Sequence, residues 1–345
     1  MKYSKHQIDK AGVALIGDDP FAREQALSVI ADWRMTFIPV LEEFCSKITD
    51  VFEKENIKFA FYSKRIKRMT SIEEKLSVNK ENRMKLGGLQ DIGGARFVFE
   101  NVQELLVVQK LLEVFVPEQF EKKKTYDYVE NPKKSGYRSI HYVYKYHSNN
   151  EDYDGLQIEL QIRTRLQHSW AMAVETASLI SRTSLKQALD DKSEWREFFE
   201  LVSAIFAQKE ECPVNEKYKD FTNKDYCDKY IRLLNEHKFL EQLKALRVTM
   251  QDDTIFETTK KGHCVLSIDF EKRLVHAKLF DEADNASDVF TKIERSLLQT
   301  QAVVMVSIEK MNEIREAYPS YFLDTSEFIK SLEDFNSNCK TKYYY

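Results

Sequence analysis

The sequence predicts an α/β chain of the α+β kind, a sheet flanked by helices with a smaller C-terminal β-β-α-β-α domain. Three observations predict it. Up to about Glu55, apolar residues recur at spacings of three and four, as in "FAREQALSVIADWRMTFIPVLEEFCSKITDVFEKE". The next hundred residues alternate short strand patterns with helical ones. After about Gln251 a second set of alternating strands begins, outside the first.

The elements follow in order. The N-terminal region, 1–55, reads as helices with Pro39 as a kink or break. In the next unit, 56–182, "KFAFYSKRIK" reads as a strand, and Ser71 opens a helix with Glu74 in the S-x-x-E capping arrangement. "ARFVFE" is a buried strand, and a helix runs from about Val102 to Phe115. "FEKKKTYDYV", "RSIHYVYKYH" and "LQIELQIRT" are three successive strands, the last two joined by the turn-like "SNNEDYDG". Residues 183–250 read as helical, 251–338 as the small α/β domain, and 339–345 as a frayed tail. The small domain lies apart from the residues with chemistry, so catalysis is expected not to need its side chains; it is a candidate regulator or a packing unit.

With 345 residues, 43% apolar and 31% charged, the chain is long enough for two or three globular units. Its opening stretch has no apolar run long enough for a signal segment or a spanning helix, so a cytoplasmic chain with no membrane partner is expected. Cys45, Cys212, Cys227, Cys264 and Cys339 are odd in number and never at CxxC spacing, which argues against a disulfide framework and structural zinc. The net charge of −4 hides a basic stretch from Lys58 to Arg96, with ten Lys/Arg against four Asp/Glu, and another from Glu121 to Lys145. A basic patch inside an acidic protein points to a local polyanionic ligand.

Arg65 and Lys67 alternate along one strand face, Ser71 stands at a helix start, and Lys75 lies one turn on. Cations, a hydroxyl and free helix N–H groups in one place suit a triphosphate. "LGGLQDIGGARFVF" sets Asp91 among glycines and Arg96 on the strand that follows. In "LQIELQIRT", Gln157, Glu159, Gln161 and Arg163 share one strand face. Asp91 and Glu159, if they converge beside phosphate-binding cations, form a Mg²⁺ site. "ENPKKSGYRSIH" offers Lys133, Lys134 and a Tyr137 free to stack on a base. A polymerase-β-type site would want Gly-Ser before D-x-D on a strand; no Gly-Ser occurs, and the D-x-D of Asp152 and Asp154 falls in a turn.

In order, "R-I-K-x-x-x-S-I-E-E-K-L", "DIGGARFV", "NPKKSGYRSIH" and "IELQIRTRLQHSWA" resemble the synthetase domain of the RelA/SpoT alarmone family, over roughly Lys58 to Ile180. "YSKHQIDKAG" and "AYPSYFLDTSEF" look like segments that flank this domain in stand-alone members. The resemblance implies a nucleotidyltransferase-like mixed sheet and transfer of the β,γ-pyrophosphate of ATP to the 3′-hydroxyl of GTP or GDP. It implies that Arg65 and Arg96 sandwich adenine while Lys67, Ser71 and Lys75 hold the ATP phosphates. Asp91 and Glu159 would hold Mg²⁺, with Glu159 helping to deprotonate the hydroxyl. Tyr137 would stack on guanine, with Lys133, His141, Gln161 and Arg163 around the acceptor or supporting its loop.

Departures accompany the likeness. No His-Asp pair occurs, so the family's hydrolase domain is expected to be missing, and the chain is too short for the ribosome-binding regions of long members. Val78 stands near the place of a further basic residue, for which Lys80 or Arg83 could substitute. Two rivals stand beside the alarmone synthetase: a RelA/SpoT-like toxin that pyrophosphorylates the 3′ end of tRNA, and an inactive nucleotide-sensing module. Self-association into a homo-oligomer is left open.

Overall fold

The structure, a computed structural model, describes residues 2–78, 84–184, 194–237, 239–244, 249–250, 262–269, 272, 274–297, 301–308 and 325–344. Lys80, Arg83 and the Ala317–Asp324 part of the second flanking segment lie outside the described residues.

Three helices come first. α1 (Lys5–Leu15) starts on a capping box in which Ser4 and Gln7 satisfy each other's backbone N–H. α2 (Pro20–Met35) is capped by Asp19, with Pro20 in its first position. α3 (Phe37–Lys54) begins just after Thr36, so Pro39 falls in its first turn, where no intrahelical donor is lost. The break expected at Pro39 therefore lies at Thr36. Phe37, Leu41, Phe44, Ile48 and Phe52 form the buried stripe of α3.

Among the described residues, nine strands form one mixed sheet in the order β3-β4-β5-β2-β1-β9-β7-β8-β6. They are β1 (Phe61–Ile66), β2 (Gly93–Phe99), β3 (Phe120–Asp127), β4 (Ile140–Tyr146), β5 (Gln157–Thr164), β6 (Thr249–Met250), β7 (Gly262–Asp269), β8 (Leu274–Phe280) and β9 (Gln301–Ile308). β2 and β5 run parallel, because α5 (Val102–Val114) and the β3–β4 hairpin intervene, and most other neighbours are antiparallel. The helices met next are α4 (Met69–Val78), α6 (Arg165–Ser184), α7 (Glu194–Lys209), α8 (Asn223–His237), α9 (Phe239–Lys244), α10 (Ala283–Arg295) and α11 (Ser326–Cys339).

Strand alternation gives the sheet two unlike faces. Tyr62, Ala95, Phe97, Tyr142, Leu160, Ile162, Val265 and Val303 join the main core with α1, α2, α3, α5 and α10. On the other face, the polar residues of β1, β2, β4 and β5 give way, towards β7 and β9, to an apolar patch of Phe61, Val98, Leu266 and Val304. Helices α6 to α9 and α11 build a second core around Trp170, Phe198, Phe206, Tyr230 and Phe328.

Three expectations change here. The C-terminal strands do not make a sheet of their own: β9 pairs with β1 at Lys64↔Ser307 and Arg65↔Val306, so they extend the first sheet. Cys227 of α8 and Cys339 of α11 form a disulfide across 112 residues of sequence. Packing of the two helices brings these buried thiols together, and no local spacing rule reports such a pair. The expected frayed tail also begins inside the fold, since Cys339 is buried and Lys340–Tyr344 continue as a π-helical turn.

Candidate active site

Four strands lay the floor. The registers Arg65↔Gly94, Gly94↔Glu159, Arg96↔Gln161 and His141↔Gln161 set these side chains side by side on the polar face. A cleft of about 370 Å³, counted out to solvent, is lined by Ser63, Arg65, Asp91, Gly94, Ala95, Arg96, Glu159 and Gln161. Gly94 keeps it open: a Cβ there would meet only the Glu159 carbonyl oxygen, at 3.8 Å. The alternation of "QIELQIRT" thus has its cause, since Ile158, Leu160 and Ile162 fasten β5 to the core while Glu159 and Gln161 face the cleft.

Asp91 holds the cationic side together. Its carboxylate accepts from Lys67 Nζ at 2.9 Å and from Lys75 Nζ at 3.0 Å. Burial opposes its ionisation, but the two ammonium groups outweigh that and hold its carboxyl below the usual carboxylate range. Burial also pushes the Lys67 ammonium down, against the pull of Asp91. Ser71 lies in the first turn of α4, but the helix starts at Met69, so the expected cap at Ser71 is absent. The Met69 N–H instead donates to Glu294 Oε1 at 3.0 Å, so this N–H of the helix start is not free for a phosphate. At the cleft's other wall, burial, with Arg163 and Arg65 adding like charge, pushes the Arg96 guanidinium down to about 9, still protonated at neutral pH.

Beyond Glu159 runs a chain of side-chain hydrogen bonds. His141 Nδ1 lies 2.9 Å from Glu159 Oε1, and its Nε2 lies 2.7 Å from the Tyr137 hydroxyl. Burial pushes the His141 imidazolium down, so the ring is neutral at pH 7. Burial also opposes ionisation of Glu159, yet the bonds from His141 and from Gln161 Nε2, the latter at 2.6 Å, hold its carboxyl below the usual range. An ionised carboxylate only accepts, so Nδ1 carries the imidazole proton, and the Tyr137 hydroxyl donates to Nε2. The hydroxyl oxygen in turn accepts from Arg163 Nη2 at 2.5 Å, and the same Nη2 donates to Gln161 Oε1 at 2.7 Å. Lys133 stands over Tyr128 and Tyr137, its Nζ 4.2 and 5.1 Å from the ring centroids.

The loop bearing Lys133 and Tyr137 is seated on α7. Gly136 has φ +88°, and a Cβ there would come within 2.8 Å of Ser203 Cβ, so the turn needs glycine on both counts. Arg138 Nη1 donates to Glu210 Oε2 at 2.8 Å in a buried pair that Gln167 also joins.

Of the residues expected from the sequence, Arg65, Asp91, Arg96, Glu159 and Gln161 line one cleft. Lys67 and Lys75 join through Asp91, and His141, Tyr137 and Arg163 through Glu159 and Gln161. Lys133 joins through Tyr137, and Ser71 only through its place on α4. Sequence reasoning missed Glu175 and Arg68. Burial opposes the Glu175 charge, but Arg65, Arg68, Arg96 and Arg163 together hold its carboxyl low. His168 packs on Phe61, Met172 on Arg96 and Glu175 near Arg68, so residues 168, 172 and 175 form the α6 face that meets the sheet beside the cleft; that spacing of four and three was the available signal.

Among the described residues there is no cluster of three or more His, Cys, Asp or Glu side chains suited to a metal ion. Two carboxylates on one cleft beside cations still fit Mg²⁺, which takes one or two carboxylates and completes its shell with substrate phosphates and water. No helix among the described residues is long and apolar enough to cross a membrane.

Residues 64–180 match the family model described as "Region found in RelA / SpoT proteins". The GTP pyrophosphokinase YjbM of Bacillus subtilis is 28% identical over 148 residues, covering 40% of this chain and 69% of that protein. A GTP pyrophosphokinase of Haemophilus influenzae is 27% identical over 161 residues, or 45% of this chain, which thus spans only 20% of that longer protein. Among solved structures, the small alarmone synthetase 1 of Bacillus subtilis bound to its product pppGpp superposes with a TM-score of 0.42 at 24% identity, covering 52% of this chain and 93% of that one.

Proposed function

Taking residues 64–180 as a RelA/SpoT-family synthetase domain, we propose that this chain transfers the β,γ-pyrophosphate of ATP to the 3′-hydroxyl of GTP or GDP. One observation carries the reading: the two carboxylates meet in a single cleft between a cationic wall and a hydrogen-bonded aromatic loop.

In this reading Arg65 and Arg96 flank adenine, and Lys67 and Lys75 exchange the Asp91 carboxylate for ATP phosphates, with Ser71 beside them. That exchange frees both Asp91 oxygens. Asp91 and Glu159 would then hold a Mg²⁺, whose chemistry is to neutralise and orient the phosphates. Tyr137 supplies the stacking face for guanine, and Lys133 brings positive charge to the acceptor's phosphates.

Glu159 orients the attacking hydroxyl and takes its proton. A carboxylate held this low is a weak base, but phosphoryl-type transfer through a loose transition state needs little nucleophile activation. Position therefore matters more than basicity, and His141 and Gln161 supply it by holding one Glu159 oxygen each.

The test incubates the purified chain with γ-³²P-ATP and Mg²⁺ plus GDP, GTP or bulk tRNA. Label on GDP or GTP is the expected result. Label on tRNA alone would replace the acceptor with the 3′ end of tRNA, and no label on any acceptor would leave a nucleotide-sensing module.

A further inference from the structure

We propose that Arg34 and Glu294 are positioning residues for the donor nucleotide, and that the C-terminal extension of the sheet is therefore part of the ATP site. The inference rests on the assignment of Arg65 and Lys67 to ATP above, and it goes beyond that assignment because neither residue lies in the matched region 64–180.

The geometry is a buried clamp. Arg34 of α2 is fully buried and Glu294 of α10 nearly so, with side-chain exposures of 0% and 10%. They pair through Arg34 Nη2 and Glu294 Oε2, and again through Nη1 and Oε1 at 3.2 Å. Each also reaches the backbone of the donor segment: Arg34 Nη1 donates to the Lys67 carbonyl at 2.9 Å, and Glu294 Oε1 accepts from the Met69 N–H at 3.0 Å. The Lys67 N–H is bonded to the Ile92 carbonyl at 2.8 Å, so the backbone of this residue is held through both its N–H and its C=O.

Just upstream on β1, β9 pairs with it at Lys64 and Arg65. The stretch from Lys64 to Met69, which carries two of the proposed ATP contacts, is thus gripped twice by residues beyond position 290. The carboxylate on the first N–H of α4 also does the work that the S-x-x-E pattern suggested for Ser71. A charge pair this deep is an inefficient way to add stability, since apolar residues of similar volume often serve as well or better. Its four polar contacts are instead a precise way to fix two peptides that must aim Arg65 and Lys67.

The test uses the full chain. Arg34→Met with Glu294→Met removes both charges together, fills the space and deletes both backbone anchors; Arg34→Met with Glu294→Gln restores an acceptor for the Met69 N–H. Thermal melting selects folded protein, and a non-hydrolysable ATP analogue and GDP are titrated by calorimetry while backbone amide exchange is followed at Met69. The expected result for the Met/Met chain is faster exchange and about tenfold weaker binding of the ATP analogue with GDP binding within about twofold, as removal of such bonds implies. The Met/Gln chain should recover part of the loss. Unchanged ATP-analogue affinity in whichever variants fold, or an equal fall for both nucleotides, overturns the clamp. A wild-type chain that binds no ATP analogue overturns the donor-site assignment itself, and the clamp's role with it.

Discussion

His141 donates from Nδ1 to Glu159 across a diagonal of the β4–β5 ladder, at 2.9 Å, past its direct partner Gln161 to the next residue on the same face of β5. The diagonal leaves Gln161 free to bind the second Glu159 oxygen from along β5, so the carboxylate is oriented from two strands at once.

That fixed carboxylate makes Glu159→Gln the sharpest test of chemistry. The variant has the same shape but no charge for a metal or a proton, so kcat should fall by about a hundredfold or more. Circular dichroism and the melting temperature should stay near wild type. Near-normal turnover would remove Glu159 from the catalytic role.

Tyr137 separates stacking from hydrogen bonding. Tyr137→Ala should weaken acceptor binding by roughly 1 to 3 kcal/mol, the worth of a base–aromatic stack. Tyr137→Phe keeps the ring but leaves His141 Nε2 and Arg163 Nη2 without their shared hydroxyl. It should therefore hold the acceptor KM near wild type and lower kcat several-fold, by about 1 kcal/mol or so in barrier. Steady-state kinetics with GDP varied reads both, and a Phe variant as poor in KM as Ala would end the stacking assignment.

The lowered His141 proton affinity predicts a slope in stability against pH. Its folded pKa lies below its ordinary 6.5, so as pH falls the unfolded chain takes up the proton first. Stability contributed by the neutral ring is complete above 6.5, declines as pH falls to the folded value, and is level below it. Glu159 starts from an ordinary 4.5 and is shifted lower still, so its own loss comes at more acid pH. Urea midpoints measured from about pH 8 to about pH 5 should show the decline in wild type and lose part of it in His141→Asn. An unaltered profile in the variant would assign the slope to other groups.

Reducing the Cys227–Cys339 bond should destabilise the second core without touching the donor site. A cross-link closing a loop of this length is worth about 4 to 5 kcal/mol in the chain-entropy picture. Cys227→Ser with Cys339→Ala, compared with wild type with and without dithiothreitol, should melt earlier, and the reductant should have no effect on it. The KM for ATP should be the same in all three; a change there would tie α8 and α11 to the donor pocket.

The sequence made legible whatever is local or periodic. Ile158, Leu160 and Ile162 announce β5 by alternation, and Arg65, Lys67 and Lys75 announce a cationic site by their spacing. Asp91 and Glu159 were recognisable because each sits in a motif with its own pattern. Arg34 and Glu294 were not, since each is one charged residue on an amphipathic helix, 260 positions from its partner. Cys227 and Cys339 were hidden for the same reason. Sequence patterns also set the C-terminal strands apart from the first five, because a strand's own alternation says nothing about which edge it will join.

The insertion of β1 between β2 and β9 has a meaning for biosynthesis. While the chain emerges from the ribosome, β5 is made long before β9, and during that interval one side of β1 is a bare sheet edge open to strands of neighbouring nascent chains. That edge carries Lys64 and Arg65 at the two positions where β9 later docks. A second copy offering its own β1 would set like charges against each other, whereas the arriving β9 brings Ser307 and Val306. Arg65 thus acts twice in the life of the molecule, first with Lys64 as a sentry on an unfinished sheet and later, once the last strand has closed it, as part of the cleft wall.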